Sequence, residues 1–116
     1  MKIDHVLKAK EFSRILHKGR KVSGQLLSLY IEQDARGSRI KVGIITPKKW
    51  IPTAVRRNYV RRCIYAHFRD PEEGIRPGTT VVARVKSDTR GTSRKPLAVT
   101  VKSELRELTE KAGVMK

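Results

Sequence analysis

The chain has 116 residues, 38% of them hydrophobic and 33% charged, enough for one core and too few for two. Lys and Arg number 27 against 11 Asp and Glu, a net charge of +16 that self-repels and favours an anionic partner, RNA or DNA foremost. No apolar run reaches the roughly 18 residues of a membrane span, and a single cysteine, Cys63, excludes an intrachain disulfide and gives no sign of secretion.

Residues 1–8 are expected to be an extended lead-in. The opening MKIDHVLKAKEF has no apolar signal core, which predicts a cytoplasmic protein. From Ala9 to Lys18 a short helix is predicted, with Phe12, Ile15 and Leu16 on one side and Gly19 as its stop. The plain role for Phe12 is core packing. Val22 to Gln33 follows as a strand, Leu27, Leu29 and Ile31 alternating with Leu26, Ser28 and Tyr30. The face carrying Tyr30 is only partly apolar, so it is either covered by the first helix or left as a groove. A polar turn from Asp34 to Ser38 leads to a second strand with Ile40, Val42 and Ile44 in alternation, and the two strands read as a hairpin. Pro47 to Pro52 is an irregular connection carrying Lys48 and Lys49. Its Trp50 is either a stacking ring for RNA or, more plainly, an anchor of the loop on the core.

Thr53 to Asp70, TAVRRNYVRRCIYAHFRD, is the helix around which the rest is organised. At about 100° per residue, Val60, Cys63, Ile64, His67 and Phe68 share one arc, the spacing of a helix laid on a core. Arg57, Asn58, Arg61, Arg62, Tyr65 and Arg69 share the other. Thr53 is the expected N-cap and Asp70-Pro71 the stop. A charged helix face is usually just solvated. Here, however, no Asp or Glu occurs between Asp34 and Asp70, while Lys48, Lys49, Arg56, Arg57, Arg61, Arg62 and Arg69 all do. Like charges at i, i+4, such as Arg57 and Arg61, repel by about 0.2–0.5 kcal/mol, and repulsion without compensation points to a polyanion. Arginine forks donate paired bonds to phosphate, with Asn58 between them for a backbone or base edge. About six such contacts would give log K against log salt a slope of roughly −4 to −5.

After this helix come a turn-rich linker, Pro71 to Thr79, and TVVARVK, a buried strand. Ser87 to Arg94 reads as a polar, mobile loop. Beyond Pro96 a last helix keeps Leu97, Val101, Leu105, Leu108 and Ala112 at spacings of three or four and ends at Gly113. Its Glu104, Glu107 and Glu110 hold the acidic charge away from the basic helix. The order is helix, strand, strand, helix, strand, helix: one α/β domain, its sheet covered by helices, with a right-handed crossover by default.

Catalytic chemistry is missing from this pattern. A protein nuclease needs paired carboxylates for metals or an acid–base pair, yet the acids are scattered and His5, His17 and His67 lie on three elements. His67 and Cys63 fall on the apolar arc, where a core histidine and a buried thiol are expected. No His or Cys pair has zinc spacing, and no glycine-rich phosphate loop is present. Nothing points to a membrane or a protein partner.

The residues Ala54, Arg57-Asn58, Arg61-Arg62 and Ile64, following a strand and the pair Lys48-Lys49, resemble the Arg-Asn-Arg motif of the bacterial ribonuclease P protein family. EFSRILHKGRKV is similar to that family's first helix and following glycine, and Val42-Gly43 with Lys48-Lys49 to its third strand and loop, so the likeness runs from about Lys10 to Lys111. The resemblance implies a four-stranded α+β sandwich of order α-β-β-β-α-β-α, with an unusual left-handed crossover. It also implies a protein that binds the catalytic RNA of ribonuclease P and helps it remove the 5′ leader of precursor tRNA. RNA and Mg²⁺ carry the chemistry there, and no protein side chain holds the metal. The implied RNA-binding set is Lys48, Lys49, Arg56, Arg57, Asn58, Arg61, Arg62, Tyr65 and Arg69, and the implied leader cleft is Phe12, Leu16 and Tyr30. Three positions depart from the family: Tyr65 replaces a usual Lys or Arg, Trp50-Ile51-Pro52 stands where a glycine is usual, and Leu16 replaces an aromatic. The rival readings are a ribosomal or chaperone protein that only binds RNA, and a self-sufficient nuclease.

Overall fold

The computed structural model describes residues 3–4, 8–34, 36–89 and 91–115. Strands β1 (Ile3–Asp4), β2 (Arg20–Ser23), β3 (Leu27–Gln33), β4 (Ile40–Ile45) and β5 (Thr79–Val85) alternate with helices α1 (Ala9–Lys18), α2 (Ala54–Arg69) and α3 (Arg94–Ala112). They form a five-stranded mixed sheet of order β1-β4-β5-β3-β2. β4 runs parallel to β5, while β3 pairs antiparallel with both β5 and β2. Four of these strands are those the resemblance implies; the lead-in adds the two-residue β1, parallel to β4 with Ile3 opposite Ile40.

Two local expectations fail. Val22 to Gln33 is not one strand: the chain turns at 24–26 and β2 folds back on β3, so that Lys21 lies opposite Tyr30. The Glu104 carboxylate of α3 holds this turn, accepting from the amides of Leu26 and Leu27 at 3.0 Å. Nor do β3 and β4 form a hairpin, because β5 lies between them. The connection instead straddles Gly78, whose carbonyl accepts from the Asp34 amide and whose amide donates to the Arg39 carbonyl, both at 2.9 Å. Val81, Val82 and Ala83 are fully buried, so β5 is apolar on both sides, and such a strand gains most in the centre of a sheet.

The two-residue period then sorts the side chains. Leu29, Ile31, Val42, Val81, Ala83 and Val85 face the main core beneath α2 and α3, which bring Val60, Ile64, Phe68, Val101 and Leu105 to it. On the opposite face α1 seats Ile15 on Val82, with Phe12, Leu16, Tyr30 and Ile45 around them.

Helix ends follow local chemistry. Thr53 caps α2 by accepting from the Arg56 amide, and Asp70 closes it and caps the 3-10 turn Pro71–Glu73. α1 stops at Gly19, where a Cβ would lie 2.5 Å from the Ile15 carbonyl oxygen. α3 begins at Arg94 rather than beyond Pro96 and ends on Gly113 at φ 70°; Pro96 fits the first turn because an amide there has no helical partner. The linker after α2 is more than a connection: Ile75 is fully buried and bridges to Met115.

Candidate nucleic-acid interface

Helix α2 presents part of its expected arc to solvent. Asn58, Arg61, Arg62 and Arg69 are exposed, as are Lys48 and Lys49 in the preceding loop. None of these cations has an acidic partner among the described residues; the ion pairs formed there use Arg14, Lys41, Arg106 and Lys111 instead. Arg57 is half-buried, its Nη1 donating to the carbonyls of Ile51 (3.0 Å) and Pro52 (2.9 Å). It therefore ties the helix to the loop and has only its other donors for a phosphate. Arg56 is half-buried too, with Nε and Nη2 enclosed and without a hydrogen-bond partner among the described residues. Tyr65 leans on the edge of the main core rather than standing in solvent, and burial pushes its phenol pKa up. The exposed polar and cationic set on the helix is thus narrower than the expected RNA-binding one.

The face carrying Tyr30 is both covered and open. α1 covers the end around Val82, and beyond it lies a groove of about 330 Å³. Strand register builds the floor: Lys21 opposes Tyr30, and Ser28 opposes Arg84. Lys49, Trp50 and Lys86 close the far end. Each ring carries a cation, Lys21 Nζ at 5.6 Å from the Tyr30 centroid and Lys49 Nζ at 4.6 Å from that of Trp50, a stabilising arrangement. Phe12, Leu16 and Tyr30 are all half-buried around the Ile15–Val82 cluster, so the expected cleft residues share one face, although only Tyr30 of the three lines the groove. Sequence reasoning missed Lys21, Arg84 and Lys86 as their neighbours. The signal was present in the polar alternate positions of the strands, but only the pairing of β2 with β3 and β3 with β5 shows that they share a face.

The loop from Ser87 to Arg94, expected to be mobile, is pinned at Thr89. That residue is 1% exposed and donates through its amide (3.3 Å) and hydroxyl (3.1 Å) to the Trp50 carbonyl. Trp50 is itself half-buried against the core, so it anchors the loop and lines the groove together.

His67 is buried as expected, its ring nitrogens enclosed without hydrogen-bond partners among the described residues. Burial lowers its pKa, and the nearby Glu73 opposes that only in part. Glu73 is held below the usual carboxylate range by hydrogen bonds from Arg106 at 2.9–3.3 Å. Cys63 is half-buried rather than buried, and burial raises its pKa, so its thiol is a poor nucleophile. His5 lies outside the described residues, and His17 is exposed on α1. Among the described residues no group of three or more His, Cys, Asp or Glu is placed to hold a metal, and no helix is long and apolar enough to cross a membrane.

Comparisons with known proteins bear on the family and the fold. The family model described as Ribonuclease P matches residues 1–113. The ribonuclease P protein component of Shouchella clausii is 28% identical over 114 residues, covering 98% of this chain and 89% of the relative. That of Mycoplasmopsis pulmonis is 36% identical over 72 residues, 62% of this chain and 61% of the relative. Among solved structures, the Staphylococcus aureus ribonuclease P protein superposes with a TM-score of 0.81 at 21% identity, covering 99% of this chain and all of that one. The Thermotoga maritima protein gives 0.69 at 16%, covering 90% and 96%; at these identities both speak for the fold. The chain belongs to the ribonuclease P protein family, which implies a part in tRNA 5′ processing by an endoribonuclease complex.

Proposed function

We propose that this chain is the RNA-binding, non-catalytic protein subunit of ribonuclease P. The observation that carries the reading is the exposed set of Asn58, Arg61, Arg62 and Arg69 on α2, with Lys48 and Lys49 exposed in the loop before it and no acidic partner for any of these cations among the described residues, in a chain of this family. That surface docks on the catalytic RNA. Guanidinium forks take its phosphates, and each neutralised phosphate releases a counterion, which makes binding strong and salt-dependent. Arg57 contributes mainly by fixing the end of the preceding loop to the helix through the Ile51 and Pro52 carbonyls. Phe12, Leu16 and Tyr30 offer an apolar and aromatic floor for the single-stranded 5′ leader, whose bases have exposed π-faces. Arg56 and Tyr65 serve at the margin of the docking surface through the atoms they leave accessible.

Hydrolysis in this reading needs nothing from the protein but position. The buried neutral His67, the raised Cys63 thiol and the scattered acids supply no general acid–base pair. Mg²⁺ would be held by the RNA and would supply the activated water there; among the described residues of the protein no group is placed to hold it. The protein works in the cytoplasm, where precursor tRNA is made.

The test is cleavage of precursor tRNA at low Mg²⁺ by a bacterial ribonuclease P RNA, with and without the protein. Restored leader removal is the expected result. Binding without stimulation would favour a general RNA-binding protein, and cleavage by the protein alone would mark a self-sufficient nuclease.

A further inference from the structure

The loop bearing Trp50 does more than join β4 to α2. Its tryptophan is fixed from behind: the Trp50 amide donates to the Pro47 carbonyl at 3.0 Å, and its carbonyl takes both donors of the buried Thr89. The indole packs partly on the core and otherwise lines the groove on the open sheet face. Tyr30 lines the same groove, and around the two rings stand Lys21, Lys49, Arg84 and Lys86, with no acid among the lining residues. From the Tyr30–Val82 row to Lys86 the groove follows four residues of strand, roughly 13 Å. A rigid aromatic at each end and cations alongside is the arrangement that takes a base on each ring and the intervening phosphates on the ammonium and guanidinium groups.

We propose that Trp50 is a second stacking position for single-stranded RNA, extending the leader path beyond Tyr30 to the loop before α2. The inference rests on the proposed leader-binding role of this face and adds to it a specificity residue. Lys49, which sits on the indole in the free protein, swings to a phosphate when a base takes its place. Binding here requires both a base and a charge, which separates it from the phosphate-only contacts of α2.

The protein offers its own probe, since Trp50 is its one tryptophan. Titration with a uridine hexanucleotide at moderate salt should quench Trp50 emission, whereas tripolyphosphate, which has charge and no base, should leave it nearly unchanged. In the holoenzyme, W50L should weaken binding of a precursor tRNA with a six-nucleotide leader by about tenfold, within the range for loss of one stacked base. A substrate with a single leader nucleotide should lose nothing, and W50F should recover most of the affinity. Anisotropy of a labelled hexanucleotide reports binding independently. If the hexanucleotide binds without moving Trp50 emission, or if W50L weakens both substrates equally, the stacking role is overturned while the leader-binding reading stands. If the protein neither binds the hexanucleotide nor stimulates leader removal, the reading beneath it fails as well. Should W50L not fold, the wild-type quench and the W50F substrates decide.

Discussion

The two faces of one sheet have opposite fates. Beneath α2 and α3 the inward positions of β3, β4 and β5 are aliphatic except at one end of the sheet, where Gln33 donates to the buried Thr79 hydroxyl at 3.1 Å. On the other face β2, β3 and β5 place Lys21, Ser28, Tyr30 and Arg84, and the ten-residue α1 covers only the end around Val82. A covered face contributes stability in proportion to the apolar area it removes from water. An open one keeps rings and cations accessible at a cost in burial. The strand alternation thus divides labour: odd positions of β5 hold the fold, while Arg84 among the even ones stays exposed on the open face.

Breaking the covered face should produce the largest effect. Phe68 is fully buried at the meeting of α2 with the sheet, and Phe68→Ala should cost about 3–5 kcal/mol in urea denaturation, with RNA affinity falling only as the protein unfolds. Next comes the hinge between the faces, the β2–β3 turn. Glu104→Ala leaves the Leu26 and Leu27 amides without their acceptor and should cost about 2 kcal/mol. It should also loosen Lys21 relative to Tyr30, so groove binding should weaken where α2 binding does not.

On the exposed arc the sign of the comparison reverses. Arg61→Ala with Arg62→Ala should leave unfolding within about 0.5 kcal/mol of wild type, yet weaken the catalytic RNA complex by roughly tenfold or more at moderate salt and flatten the salt slope by about 1.5. Unchanged affinity would remove α2 from the interface.

The smallest effect is on pH dependence. His67 is neutral and buried, facing Glu73, Arg106, Lys102 and Asp70. Its folded pKa lies below the ordinary 6.5, so the unfolded chain binds more protons and stability falls as pH drops below that value. It is fully present above it. Glu73, depressed from 4.5 by Arg106, adds a further loss in more acid solution. His67→Phe should flatten the profile between neutrality and the carboxylate range; a profile unchanged by the substitution would show that another group titrates there.

Much of this was legible in the chain. Ala9 to Lys18, the Thr53 and Asp70 ends of α2 and the burial of Val60, Ile64, His67 and Phe68 followed from periodicity and capping, because a helix is specified by neighbours three and four residues away. The acid-free run from residue 35 to 69 and the order of motifs around Arg57-Asn58 and Arg61-Arg62 were enough to single out the basic face and the family resemblance. The strand order was not legible, since pairing is a contest among distant segments: a short polar loop suggested that β3 meets β4, and the doubly apolar β5 displaced it. The groove depended on that outcome, as did the return of β2 onto β3. Only tertiary structure could lean Tyr65 on the core and bring Thr89 under Trp50, because each is a contact between segments whose local sequences carry no record of one another.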